Sequence, residues 1–362
     1  MAVGIIGYSG SVGKNVTEYL LEKGFDVIGA GRHIHEPPHS GGTFRGAVVD
    51  INDKDQLESM ICQCELVINC AAPAYKYAPI AAEAAGRAGC TYLDLTDSII
   101  GKELPESGTY IASCGYVPGL SAIFPDLIIK ENFDQAESVS IYQGGTGMCS
   151  DRAMLDVILT SESSGFIDSV FSGGKAVKAV TDPKRRYSLP FLGESAVLKP
   201  YLTYEMLRFA QLRGLPAVSW YNAYTGMPQL AFFLRLITAL SRNDQEKAFS
   251  LMENERMKRA EGGPDSLYAL MSGDITGFSR GRRKCMRFTH KVSDANISCG
   301  IAAAYIAEKV LSAGHIRPGV HLGFEFADEG ILRELEKKKD ANDIFTVEEI
   351  DEDLSLERSV LA

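Results

Sequence analysis

Three glycines near the start of the chain, Gly7, Gly10 and Gly13, are spaced G-x-x-G-x-x-G in the segment GYSGSVG. Glycine at position 7 permits a tight turn, at 10 it lets a pyrophosphate approach the backbone, and at 13 it lets a following helix pack on the preceding strand. Backbone N–H groups along such a loop, at Ser9, Ser11 and Val12, and the positive end of the helix dipole favour phosphate. A second signal follows in Gly29-Ala30-Gly31-Arg32-His33, the expected end of a second strand. An NAD-dependent chain would place an acid there for the ribose 2′-hydroxyl. Here Gly31 is followed by Arg32, whose guanidinium can pair with a 2′-phosphate and stack on adenine, so the pattern favours NADP(H). Asp50 and Ile51 are expected at the adenine edge. Cys70, Ala71, Ala72 and Pro73 are expected under the pyrophosphate and nicotinamide ribose, where small side chains suit a close approach.

The elements needed to position these residues are legible in the same stretch. Residues 2–7 (AVGIIG) read as a buried parallel strand, 12–23 as an amphipathic helix, and 25–31 as a second strand. Strands at 46–50, 65–70, 91–95 and 109–114 alternate with helices at 54–63 and 78–88. Strand–helix alternation at this spacing predicts repeated βαβ units and a doubly wound parallel sheet of the Rossmann kind. The alternation fades near residue 124. Beyond it, short β-like runs (138–142, 284–289) mix with helices (204–213, 230–241), which predicts a second, α+β domain. The division expected is 1–124 as the dinucleotide-binding domain and 125–291 as a substrate and dimerisation domain. Helices in 292–340 should return to the first domain, and 341–362 is read as an acidic, partly ordered tail.

Bulk properties fit a two-domain chain. The 362 residues carry a formal net charge of −10, with 45 % hydrophobic and 23 % charged residues. An acidic surface argues against nucleic acid or an anionic membrane as the main partner. The apolar run 228–240 (PQLAFFLRLITAL) contains Arg235 and is too short to span a bilayer. It and residues 189–198 suggest a homodimer through the second domain. The eight cysteines lack a zinc spacing and are read as reduced, with a cytoplasmic location and no metal. Cys114 has no histidine near it in sequence and is read as lining a site, not as a nucleophile.

The glycine loop, Gly31-Arg32, residues 67–97 (VINCAAPAYKYAPIAAEAAGRAGCTYLDLTD), 112–121 (ASCGYVPGLS) and the helix within 293–320 together resemble the saccharopine dehydrogenase/reductase-like family. The resemblance covers roughly residues 1–125 and 290–325. It implies hydride transfer between NADP(H) and a C–N bond. The reduced substrate would be an imine and the product amino-acid-like, with an amine and a carboxylate. Relatives with C=C or C=O reductase activity, or binding without turnover, are the rival readings.

In an open α/β sheet the chemistry lies at the carboxyl ends of the strands. The acid–base groups expected there are Asp97, Tyr75, Lys76 and Tyr77, against structural or substrate-orienting roles. Asp94 reads equally as a group beside the nicotinamide or as a cap of the following turn. In the second domain Arg152 is the first choice for a substrate carboxylate, with Trp220 and Tyr224 as aromatic walls of a pocket, against ordinary core packing. The basic runs 184–186 and 280–284 read either as anion attractors or as solvated loops.

Overall fold

A computed structural model of the chain describes all residues except 1, 39–40, 148–153, 155–157, 159–164, 180, 183, 264–266 and 356–362. The chain divides into two compact units, Met1–Ile123 with Ala295–Lys338, and Phe124–Asp294 with Lys339–Ala362.

The first unit alternates strands and helices: β1 (Ala2–Ile6), α1 (Gly13–Glu22), β2 (Val27–Gly31), β3 (Phe44–Val48), α2 (Lys54–Ile61), β4 (Cys64–Asn69), α3 (Ala74–Ala88), β5 (Thr91–Asp94) and β6 (Thr109–Ala112). After the second unit the chain returns with α8 (Ala295–Ser312), β16 (Gly319–Leu322) and α9 (Gly330–Lys337), numbered along the chain. The strands form a seven-stranded sheet in the order β16-β6-β5-β4-β1-β2-β3, every neighbouring pair parallel. This is the doubly wound arrangement, extended by a seventh strand that the sequence pattern does not reveal.

Parallel strands covered on both faces must be apolar throughout, and these are. Ile5, Leu66, Val67 and Ile68 are fully buried, as are Val16, Leu20 and Leu21 on α1. Each such side chain contributes about 1.5–3 kcal/mol relative to exposure. The long helix α8 is built of small residues, with Ala302, Ala303 and Ala304 fully buried, and it packs against α1 and α9. Gly300 makes that seat possible, since a Cβ there would lie 2.5 Å from Asn15 Cβ and 3.1 Å from the Val12 carbonyl oxygen.

The second unit is a mixed sheet. Its main path runs β10 (Lys175–Lys178), β9 (Ser169–Ser172), β13 (Ala217–Tyr224), β7 (Gln135–Gly145), β14 (Ala269–Ser279), β15 (Arg282–Val292) and β17 (Ile344–Ile350). The β13–β7 pair is parallel and the other path pairs are antiparallel. A long strand β12 (Gly193–Thr203) joins β8 (Gly165–Ile167) and β11 (Tyr187–Leu189) to β13. Helices α4 (Leu120–Asn132), α5 (Tyr204–Arg213), α6 (Met227–Ser241) and α7 (Gln245–Ala260) complete it. Asp274 is wholly buried opposite Arg287, which donates to it at 2.6 and 2.8 Å across the β14–β15 ladder.

The expected acidic tail is in part a strand. Residues Ile344–Ile350 pair in register with Lys291–Cys285 of β15. Their acidity reflects an edge position facing basic neighbours, with Arg282 donating to Glu349 at 2.8 Å. The basic run 280–284 is occupied by the same arrangement: Arg283 pairs with Glu137 and Glu352, and Lys284 with Glu349.

A dinucleotide-binding loop and the strand ends around it

The loop between β1 and α1 is held by its own backbone. The Gly7 N–H donates to the Ala30 carbonyl at 2.9 Å, and the Gly10 N–H to the Gly7 carbonyl at 3.0 Å. Gly7 has φ +77°, and a Cβ on it would lie 3.0 Å from the Ala71 nitrogen, so glycine brings the β1 and β4 ends together. At Gly13 a Cβ would overlap the Gly7 carbonyl oxygen at 2.2 Å, which fixes the tight entry into α1. A Cβ on exposed Gly10 would meet only the Gly7 carbonyl oxygen, so that side of the loop is open to a ligand.

Ser9, Ser11 and Val12 follow the turn. Among the described residues the backbone N–H groups of Ser11 and Val12 donate to no protein acceptor. Helix α1 has no side-chain cap and no acid in its first turn, so its positive end is not neutralised. An anion-binding loop with glycines at the points of close approach fits the pyrophosphate of a dinucleotide.

Tyr8, a variable position of the spacing, does work that the motif does not announce. It is buried, packs at 5.3 Å against the tilted ring of Phe44, donates through its hydroxyl to the His35 carbonyl at 2.9 Å and accepts from the His35 N–H at 2.7 Å. It thereby ties the segment after β2, which carries Arg32, to the glycine loop. Arg32 is exposed just beyond Gly31, at the end of β2. Asp50 is exposed after β3, with Ile51 half-buried beside it. The Asn52 backbone N–H and side-chain amide hold the Asp50 carboxyl below the usual carboxylate range, and the Arg32 and Lys76 cations lower it further.

At the end of β4, Cys70, Ala71, Ala72 and Pro73 are half-buried and lead into α3. Burial pushes the Cys70 thiol well up, so it stays protonated. Helix α3 starts at Ala74, four residues before the sequence pattern suggests, so Tyr75, Lys76 and Tyr77 form its first turn. Tyr75 and Lys76 are exposed, and the Lys76 ammonium lies 5.2 Å over the Tyr77 ring.

The strand ends are organised by Asp94. Its carboxylate is wholly buried and accepts from the Tyr92 hydroxyl at 2.5 Å, the Thr96 N–H and hydroxyl at 2.7 Å each, and the Asn69 amide at 3.3 Å. Burial pushes its pKa up while these donors pull it down. Asn69 in turn accepts from the Ala71 N–H at 3.2 Å. One carboxylate therefore fixes the ends of β4 and β5 beside the glycine loop. Of the two readings of Asp94, the capping one is seen here in the Thr96 contacts. Asp97 is buried in the turn that follows. Cys114 is wholly buried behind β6.

Two of the second unit's candidates lie on one strand. Trp220 is 1 % exposed on β13, and its indole N–H donates to Asn222 at 3.3 Å. Tyr224, at the end of the same strand, packs 5.5 Å from Phe233, and burial pushes its hydroxyl up to about 12. On a strand, residues four apart share a face, but Trp220 lies inside the core. Arg152 lies outside the described residues.

Fold and loop together define a dinucleotide-binding protein of the doubly wound class. Residues 3–113 match the family model described as "Saccharopine dehydrogenase NADP binding domain". That part of the chain is therefore similar to NADP-binding domains of this type. The apo saccharopine dehydrogenase (L-Glu forming) of Saccharomyces cerevisiae is similar in structure, with TM-score 0.59, 14 % identity, and coverage of 97 % of this chain and 100 % of that one. A uronate dehydrogenase from Agrobacterium tumefaciens is similar over 26 % of this chain and 40 % of its own, with TM-score 0.22 and 14 % identity. No curated protein sequence matches the chain. No described helix is long and apolar enough to cross a membrane.

Proposed function

We propose that this chain is an NADP(H)-dependent oxidoreductase that moves hydride between the cofactor and a C–N bond. In the reducing direction it takes an imine to an amine in an amino-acid-like product carrying a carboxylate. The observation that carries this reading is a continuous one. An NADP-binding domain of the saccharopine dehydrogenase type is joined to a second unit, and the whole chain shares its fold with a saccharopine dehydrogenase.

The chemistry asks little of the protein. An iminium is already electrophilic, so the chain needs to place the hydride donor, exclude water and keep the nitrogen protonated. The small residues Ala71 and Ala72 leave room at the β4 end for a nicotinamide ribose. Asp97, Tyr75, Lys76 and Tyr77 are the groups assigned to hold or deliver a proton there, and Arg152 to bind the carboxylate. When bound, NADPH supplies the hydride.

The assembly proposed is a homodimer, in a cytoplasmic setting. Met227, Leu234 and Ile237 on α6 are 46 %, 54 % and 44 % exposed, while Phe232, Leu236 and Ala239 of the same helix are buried. Exposed apolar groups of this kind suit an isologous contact.

The test is NADPH oxidation with panels of 2-oxo acid plus amine, and separately with enones and with aldehydes alone. Oxidation that requires both the oxo acid and the amine is expected. Oxidation with enones alone, or tight NADPH binding without turnover in any panel, overturns the reading.

A further inference from the structure

The first turn of α3 carries a lysine whose place in the sheet fits cofactor selection better than proton transfer. The strand order β3-β2-β1-β4 sets the ends of β2 and β4 on either side of β1 and its glycine loop. Arg32 stands at the end of β2 and Lys76 just past the end of β4. Contact between Gly7 and the Ala71 backbone draws the β4 end close to that loop. Both cations are exposed, and among the described residues neither forms an ion pair. Basic residues at the far ends of α3 and α1 differ: Arg87 is bound by Glu58 and Glu83, and Lys23 by Glu334.

Two features agree with this placement of the cations. The Asp50 carboxyl, at the end of β3, feels the positive charge of both Arg32 and Lys76. It lies on the β3 side of the sheet, away from the β5 and β6 ends where Asp97 and Cys114 sit. Helix α3 has neither a side-chain cap nor an acid in its first turn, so its positive end adds to the same field. A position between the ends of β2 and β3 is where the adenosine ribose of a doubly wound domain lies.

We propose that Lys76 acts with Arg32 to hold the 2′-phosphate of NADP(H), and is a cofactor-specificity residue. Arg32 offers a planar fork to two phosphate oxygens, and the Lys76 ammonium supplies a point charge from the opposite side. The Tyr77 ring, 5.2 Å from the ammonium, steadies the lysine without neutralising it. This assignment removes Lys76 from the candidates for proton delivery. It rests on the NADP(H) reading of the first unit and not on the C–N chemistry proposed above.

The test is equilibrium binding to the full chain, followed by NADPH and NADH fluorescence and by competition with 2′,5′-ADP and 5′-AMP. Lys76→Met keeps the stem length and removes the charge. It should weaken NADPH and 2′,5′-ADP about tenfold, the loss of one charge-assisted contact, and leave NADH and 5′-AMP within about twofold. Lys76→Arg should restore most of the NADPH affinity. Equal losses for the phosphorylated and unphosphorylated ligands overturn the proposal. So does unchanged NADPH affinity, including the case in which turnover falls while binding does not. Failure of the imine reaction with a selective Lys76 effect intact would sink the proposed function alone.

Discussion

Replacing Asp94 is the sharpest perturbation of the first unit. The carboxylate is wholly buried and accepts four hydrogen bonds, from Tyr92, Asn69 and twice from Thr96. In Asp94→Ala the buried Tyr92 hydroxyl and the part-buried Thr96 N–H lose their acceptor. A stranded buried donor costs about 1–3 kcal/mol, so the pair costs roughly 4 kcal/mol. The Thr96 hydroxyl, part-buried, already has Ser98 at 2.8 Å as a second partner and adds little. For a unit of this size each kcal/mol moves the midpoint by about 2–4 °C, which gives a fall of roughly 8–16 °C. Asp94→Asn keeps one acceptor oxygen and should lose about half as much. Calorimetry on the full chain, with and without NADPH, reads both. The loss should be partly recovered by saturating cofactor, because the β4 end that Asp94 organises abuts the glycine loop. A midpoint for Asp94→Ala within about 2 °C of the parent would refute the reasoning that this carboxylate anchors the strand ends.

Arg32→Ala should weaken NADPH binding by about 1–3 kcal/mol and NADH little; equal losses for both would remove Arg32 from the 2′-phosphate. His290 is buried between Phe124 and Phe345, and burial pulls its pKa from 6.5 down to about 4. The unfolded chain therefore takes up a proton first, so the contribution of His290 is present above pH 6.5 and is lost as pH falls towards 4. That loss amounts to about 3 kcal/mol, and His290→Phe should flatten the stability profile in this window; an unchanged slope in urea titrations would contradict it. Leu234→Lys on α6 should convert a dimer to a monomer in light scattering at micromolar concentration, and a monomeric parent protein would remove the homodimer.

The first unit was legible because its physics is local. Ile5, Val67 and Leu93 sit in strands buried on both faces, which forces continuous apolar runs, and the glycine spacing is dictated by backbone contacts at Gly7 and Gly13. Strand β16 was hidden because Gly319–Leu322 is only four residues long at a sheet edge, where neither periodicity nor burial marks it. Strand β17 was hidden because its glutamates answer cations on β15, so its pairing is invisible without the partner. The Asp94 network escaped for a related reason. Asp94 and Thr96 are a local turn signal, but Asn69 joins them only through the β4–β5 register. Tyr8 carries no local signal of its role, because it occupies a variable position whose anchoring partner, His35, lies beyond the next strand. In the second unit Trp220 reads equally as a pocket wall or as core, and only its position inside the sheet's packing distinguishes them.

Transfer of a labelled hydride tests the central claim most directly. The protein is incubated with NADPH carrying deuterium at the transferable C4 position, a 2-oxo acid and an amine, and the product is analysed by mass spectrometry and NMR. One deuterium should appear on the carbon bonded to nitrogen. Deuterium on a carbinol carbon, on a carbon once part of a C=C bond, or on no product at all would contradict an NADPH-dependent reduction of a C–N bond.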